Sequence, residues 1–279
     1  MTAGEPDRRS TAFTAASVPT NYSMRLGPVV FEPWAEVLLD AVGVSPGDRV
    51  LDVASGTGVV ARAAARRAGP EGRVVGTDVS EPMLSLAAAR PLADDCAPVE
   101  YLEARADDLP FPDESFDVVL CQQGLQFFTE RLDAAREMHR VVRAGGTVGA
   151  AVWAAGYRLE PFDDYAEALA ATGVEPPFPR AFENTAFVMS DGAGRELFEH
   201  AGFDTIDASV VEQTVTFPDP GSAAGGILGT PFGPVVAGLP GDQSDALQAD
   251  LLRRFRPESP RAPVRRTTAA VVVRATKAP

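Results

Sequence analysis

The sequence predicts an α/β fold in which a mostly parallel sheet carries helices on both faces. Three observations support this. Strand-length apolar runs alternate with helix-length amphipathic stretches through the first half of the 279 residues, the sequence form of a parallel sheet. The first run breaks into a small-residue turn with two glycines, Val50-Leu51-Asp52-Val53-Ala54-Ser55-Gly56-Thr57-Gly58-Val59. A second run, Arg73-Val74-Val75-Gly76-Thr77-Asp78, closes on a carboxylate.

Residues 1–18 are small and polar without periodicity and read as a disordered leader to one domain spanning 19–279. Tyr22 to Val42 reads as helix, with Phe31, Trp34, Ala35, Val37, Leu38 and Ala41 on one face before the Gly43 stop. Strand 50–54 then leads into helix 59–68, and strand 73–78 into helix 82–89, with Ser80 as N-cap and Pro82 in the first turn. A short strand at 99–102 completes a βαβαβ pattern.

The second half of the sheet starts at Ser115 to Cys121, after the turn-like Pro110-Phe111-Pro112-Asp113-Glu114. Thr129 is positioned to cap the next helix, in which Leu132, Ala135, Met138, Val141 and Val142 recur at helical spacing until Ala144-Gly145-Gly146 ends it. Strands at 147–153, 203–211, 214–217 and 268–275 follow. The sheet therefore occupies 46–153, 203–217 and 267–276, and two insertions, 154–201 and 218–258, form a helical cover over a substrate. Phe162, Tyr165, Phe178, Phe182 and Phe187 in the first insertion either face that substrate or make a satellite core.

A formal charge of -14 argues against a nucleic-acid partner, which needs a positive field. Arg253, Arg254, Arg256, Arg261, Arg265 and Arg266 read as a solvated helix end and loop rather than a basic patch. No apolar stretch reaches the roughly 18 to 20 residues of a membrane span, and the N-terminus lacks a signal-peptide core, so a cytoplasmic protein is expected. Cys96 and Cys121 have no metal-ligand spacing and read as free thiols; no metal is expected. His139 and His200 read as structural, because neither ends a strand where open α/β sheets bind ligands. Without heptads or internal repeats, the sequence leaves the oligomeric state open.

Gly56 and Gly58 allow the turn to pass close to a ligand, and Ala61 fills the small third position of a GxGxxG/A turn. Asp78, ending the second strand, suits the two hydroxyls of a ribose. Three segments then occur in order: Leu51 to Gly58, Asp107-Asp108-Leu109-Pro110-Phe111-Pro112-Asp113-Glu114-Ser115-Phe116-Asp117, and Arg136-Glu137-Met138-His139-Arg140-Val141-Val142-Arg143-Ala144-Gly145-Gly146. Together they resemble a class I S-adenosylmethionine-dependent methyltransferase of the ubiquinone/menaquinone-biosynthesis-like branch, well over about residues 20–155 and in layout beyond.

The resemblance implies a Rossmann-like, mostly parallel seven-stranded sheet with an antiparallel last strand, and S-adenosylmethionine as cofactor with S-adenosylhomocysteine as product. It places Asp52 and the backbone of Ala54, Ser55, Gly56, Thr57 and Gly58 around the methionine part, Asp78 on the ribose, and Val79 and Met83 beside adenine. Ala106 and Asp107 border the adenine edge, Cys121 and Gln122 the methionine amino group, and Tyr22 closes the pocket from the leading segment. The chain departs from the family at Ala54, where glycine is usual, and at Arg105, where an acidic residue often accepts from the adenine amino group, as arginine cannot.

Methyl transfer from a sulfonium chiefly needs alignment, and fixing two reactants in near-attack geometry is worth roughly 7 to 11 kcal/mol. A general base adds about 10² to 10⁴ where the acceptor is a phenol or carbon acid. The catalytic candidates are Gln122 and Gln126, with Gln123 beside them, and Tyr157; on the first insertion Tyr157, Glu160, Asp163 and Asp164 could each serve as a base but read better as solvated loop residues. The expected activity is methyl transfer to O, N or C of a small, partly hydrophobic acceptor, in a composition similar to bacterial enzymes of secondary metabolism. Three alternatives stay open: a cofactor-binding relative that catalyses cyclisation or rearrangement, a nicotinamide-dependent oxidoreductase, which lacks a Tyr-x-x-x-Lys pair here, and a non-catalytic binding or regulatory protein.

Overall fold

Seven strands, β1 (Arg49–Val53), β2 (Arg73–Asp78), β3 (Val99–Glu103), β4 (Phe116–Gln122), β5 (Val142–Trp153), β6 (Thr205–Phe217) and β7 (Val264–Thr276), form one sheet in the order β3-β2-β1-β4-β5-β7-β6. The computed structural model describes residues 18–175, 187–256 and 262–279. Residues 1–17 of the expected leader, Phe178, Phe182 and Arg261 lie outside the described residues, and the leader's last residue, Val18, is buried and opens a helix instead of being disordered. Strands β1 to β5 pair in parallel, and β7 runs antiparallel to both neighbours, as expected. The chain reverses its direction of travel across the sheet between β1 and β4, the switch point where such sheets open a crevice at their strand ends.

Side chains alternate between the two faces of a strand, and the two cores record this. Val50, Val118 and Leu120 pack into one cluster with Trp34, Leu38 and Val60. Their neighbours Leu51, Val119 and Cys121 pack into the other with Met138, Val141 and Phe198. In chain order the helices are α1 (Val18–Asn21), a π-helical segment Tyr22–Phe31, α2 (Glu32–Val42), α3 (Val59–Ala68), α4 (Glu81–Ala88), α5 (Arg131–Val141), α6 (Phe162–Ala171), α7 (Asp191–His200), α8 (Pro220–Gly225), α9 (Gly233–Ala237) and α10 (Gly241–Arg254). Among the described residues no helix is long and apolar enough to cross a membrane.

Several elements differ from the sequence expectation. The single helix expected from Tyr22 to Val42 opens as a π-helical segment. Strands expected at 203–211 and 214–217 are one strand, because β6 pairs with β7 without a break from Thr205↔Thr276 to Phe217↔Val264. Gly145 and Gly146 do not stop a helix. They lie inside β5, where the pairing with β4 shifts register, and a Cβ on Gly146 would meet the Asp117 carbonyl at 2.8 Å. Ser80 occupies the N-cap position of α4 but its side chain makes no capping bond, and Glu130, not Thr129, precedes α5.

The arginines near the C-terminus do not all form a solvated end. Arg266 pairs with Asp164 at 2.9 Å and lies over the Phe255 ring at 4.8 Å. Arg254 bridges Glu167 and Asp250, both at 2.6 Å, while Arg158 bridges Asp164 and Glu167, both at 2.6 Å. This network ties α6 to α10 and β7, so the two insertions form one cover. It also corrects the reading of Asp163 and Asp164 as solvated or catalytic: both are buried, and Asp163 accepts from Leu159 N at 2.6 Å.

Candidate active site

A cavity of about 280 Å³ opens at the C-terminal ends of β1, β2, β4 and β5, roofed by the π-helical segment and by both insertions. Its two ends differ in chemistry. One is built by the turn after β1 and the end of β2; the other is apolar and aromatic.

At the polar end Asp52 is buried, and its Oδ2 accepts from Ala61 N in the first turn of α3 at 2.9 Å. Its Oδ1 has no hydrogen-bond partner among the described residues, and burial pushes its carboxyl up to about 8, with the Asp78 charge adding to the rise. Asp78 accepts from Gly56 N at 2.8 Å through Oδ2 and from Ser80 N at 2.9 Å through Oδ1, so it latches the glycine turn to the end of β2. Burial raises its carboxyl too, against the lowering effect of those N–H donors. The Ser55 and Ser80 hydroxyls are also buried without partners among the described residues.

Ala54 sits at φ +57, in the left-handed region that its Cβ disfavours. A Cβ on Gly124 would lie 2.8 Å from the Ala54 Cβ, so the missing side chain of Gly124 makes room for the extra one at 54. Gly58 has φ +74, and a Cβ there would run into the Tyr101 hydroxyl. Arg105 grips Asp107 with two bonds, Nε to Oδ1 at 2.9 Å and Nη2 to Oδ2 at 2.6 Å, and holds that carboxyl below its usual range.

At the apolar end the walls include Phe31, Trp153, Leu159, Phe162, Phe187 and Phe232. Three carboxamides interrupt them. Gln122 Nε2 donates to the Phe31 carbonyl at 3.0 Å, leaving its Oε1 unpartnered. Among the described residues Gln123 has neither carboxamide atom bonded, and Gln126 Oε1 is likewise unpartnered. Tyr22 lines the cavity and stacks on Phe31; burial and the Asp78 and Asp52 charges hold its phenol protonated well above the usual range.

Of the predicted site residues, Tyr22, Asp52, Ala54, Ser55, Gly56, Asp78, Val79, Met83, Ala106, Asp107, Gln122 and Gln126 line this one cavity. Thr57, Gly58 and Cys121 stand behind its wall, and burial pushes the Cys121 thiol up to about 12. Tyr157 is a correction: it is 37% exposed and lies outside the cavity, because the chain turns outward before the insertion packs back. His139 is equally distant in role, packing edge-on against Phe203. The second insertion was expected to cover the site, but sequence reasoning did not single out Phe232 or the Gly229-Thr230-Pro231 turn as the part that lines it, because no local pattern marks which residues of an insertion face inward.

Residues 51–149 match the family model described as methyltransferase domain. Over 114 residues the chain is 43% identical to the ubiquinone/menaquinone biosynthesis C-methyltransferase UbiE of Ectopseudomonas mendocina, covering 40% of this chain and 44% of that protein. The chain thus spans less than half the length of that relative. Among solved structures, phosphoethanolamine N-methyltransferase 2 of Haemonchus contortus, in complex with S-adenosyl-L-methionine, superposes with a TM-score of 0.64 at 17% identity, over 99% of this chain and 61% of that one. The [4+2]-cyclase SpnF superposes at 0.53 with 20% identity, over 89% and 81%. At such identities these two likenesses carry the fold alone.

Proposed function

We propose that this chain, built on a class I methyltransferase domain, transfers a methyl group from S-adenosylmethionine to a small, largely apolar acceptor. The observation that carries the reading is the pair Asp52 and Asp78, which flank one glycine turn at the switch point and open into a cavity whose far end is aromatic.

The residues fit the cofactor better than a dinucleotide. A pyrophosphate needs the N-terminus of α3 free to meet its charge, but here Asp52 already accepts from that first turn. Its unpartnered Oδ1 calls for a donor with positive charge, such as an amino-acid ammonium. Asp78 keeps lone pairs on both oxygens for a ribose diol, and the half-exposed Val79 with buried Met83 offers an apolar seat for a base. Bound there, S-adenosylmethionine supplies a methyl group on a sulfonium, already activated for displacement.

The chain's own work is then alignment and exclusion of water. Tyr22 closes the cavity from above, and Phe31, Trp153 and Phe162 exclude water from the acceptor end. The acceptor atom gains the methyl and gives up one proton. Among the described lining residues there is no histidine, and the one carboxylate besides Asp52, Asp78 and Asp107 is the exposed Glu130, which supports an acceptor acidic enough to lose its proton to water, an activated phenol or carbon acid. The acceptor end is drawn largely from the two insertions, outside residues 51–149, which supports an acceptor of this protein's own, in keeping with a tailoring role in secondary metabolism in the cytoplasm.

Calorimetric titration with S-adenosylmethionine, S-adenosylhomocysteine and NADH tests the reading, alongside Asp78→Ala. We expect both sulfur ligands to bind and NADH not to. Asp78→Ala should weaken them 100-fold or more, since it removes charge-assisted bonds and unlatches the turn. Preference for NADH, or no binding of either sulfur ligand, rejects it.

A further inference from the structure

Gln123 departs from ordinary structure in three ways at once. It is buried, with 6% of its surface exposed. Its φ is +54, a left-handed value that a long side chain rarely adopts. Both polar atoms of its carboxamide are without a hydrogen-bond partner among the described residues. A residue held in a strained conformation with a buried, unsatisfied donor and acceptor aimed into a cavity is an arrangement that a ligand completes.

The backbone explains how it is held there. Gln123 N donates to the Ala151 carbonyl at 2.8 Å, which pins the residue to the end of β5 just where β4 stops. Gln126 follows one turn later and is 2% exposed, with its Oε1 unpartnered, so two carboxamides face the same space. Around them the walls are Phe31, Trp153 and Phe162. The charged residues lining the cavity are Asp52 and Asp78 at the cofactor end, the Arg105–Asp107 pair, and the exposed Glu130 at the rim. Nothing among the described lining residues supplies a free cation for an acidic acceptor, and the nearest buried charges are negative.

We propose that Gln123 is the acceptor-recognition residue, and that the acceptor is an uncharged, flat, apolar molecule carrying a hydroxyl next to a carbonyl. One carboxamide offers both an N–H donor for the carbonyl and a C=O acceptor for the hydroxyl. Gln126 Oε1 provides a second acceptor. This rests on the cofactor reading above and assigns the acceptor class within it.

The test uses the full chain saturated with S-adenosylhomocysteine, titrated with three probes: 1-hydroxy-2-acetonaphthone, 2-acetonaphthone, which lacks the hydroxyl, and 1-hydroxy-2-naphthoate, which carries a charge. We expect the hydroxyketone to bind at least fivefold tighter than the ketone and tenfold tighter than the carboxylate. Gln123→Leu should lose the preference for the hydroxyl while binding S-adenosylhomocysteine unchanged. Gln123→Gly, which suits the positive φ, should lose it as well and so guards against a variant that fails to fold. Equal binding of the three probes, tighter binding of the carboxylate, no binding of the hydroxyketone, or variants that keep the preference each overturn the assignment. If S-adenosylhomocysteine itself fails to bind the wild type, the cofactor reading falls first and this one with it; if it binds and the probes are not told apart, only this one falls.

Discussion

The rings of Tyr22 and Phe31 stack with centroids 4.6 Å apart and planes inclined by 27°, although they stand at opposite ends of one ten-residue helical segment. In an α-helix of 3.6 residues per turn those ends would point to opposite sides. The wider π turn, which is common at functional sites, brings Tyr22, Leu26 and Phe31 onto the face that roofs the cavity.

The stack should therefore set ligand affinity. An aromatic pair is worth about 0.5 to 1.5 kcal/mol beyond its burial, so Phe31→Leu, which keeps an apolar side chain, is expected to weaken S-adenosylhomocysteine three- to tenfold by calorimetry. An unchanged affinity would show that Tyr22 holds its place without Phe31.

Asp52 gives the protein a pH dependence with a definite sign. Burial raises its folded-state carboxyl to about 8 from the usual value near 4. The native state thus binds more protons than the unfolded state between those values, and this stability, complete below about pH 4, is lost as pH rises through 8. We expect the ligand-free melting temperature to fall by several degrees from pH 6 to pH 8.5 in the wild type and by less in Asp52→Asn. A cationic ligand favours the ionised form, so S-adenosylmethionine affinity should rise over the same interval.

Ala54 and Gly124 form a coupled pair. Gly124→Ala puts a methyl 2.8 Å from both the Ala54 Cβ and the Cys121 Sγ, and overpacking of this kind costs about 1 to 3 kcal/mol. Ala54→Gly relieves the positive φ and is expected to stabilise by up to about 1 kcal/mol. In the double variant the first change should cost less than alone, because one of its two clashes is gone; urea unfolding of the four proteins gives the coupling. Strict additivity would contradict the contact.

Asp164 joins Arg158 and Arg266 beneath the cover. Asp164→Ala leaves the largely buried Arg266 without its carboxylate, and a loss of about 2 to 4 kcal/mol is expected in urea unfolding, below the upper range for a fully buried pair because Arg158 remains half-exposed. S-adenosylhomocysteine affinity should stay within twofold, since no member of the network lines the cofactor end. A matched loss of affinity would place the network in the binding site instead.

How legible each feature was depended on how local its cause is. Asp52, the glycine turn and Asp78 could be read directly, because a strand end, a tight turn and a helix start are set by neighbouring residues and recur at fixed spacing. The Gly145-Gly146 pair misled, because glycine signals a break but not which element breaks; a register shift against β4 decided that. Tyr157 looked as good a base as any residue of the first insertion, and only its outward course removed it.

The sequence by itself determined the alternation of strands and helices, the switch-point turn with its two carboxylates, and a formal charge of -14. The tertiary structure alone decided what stands opposite that turn. Phe31 meets Tyr22 through a π segment, Phe232 arrives from more than 100 residues away, and Gln123 is left buried without a partner. These are contacts between distant segments, fixed by which faces bury against each other, and no local periodicity records them.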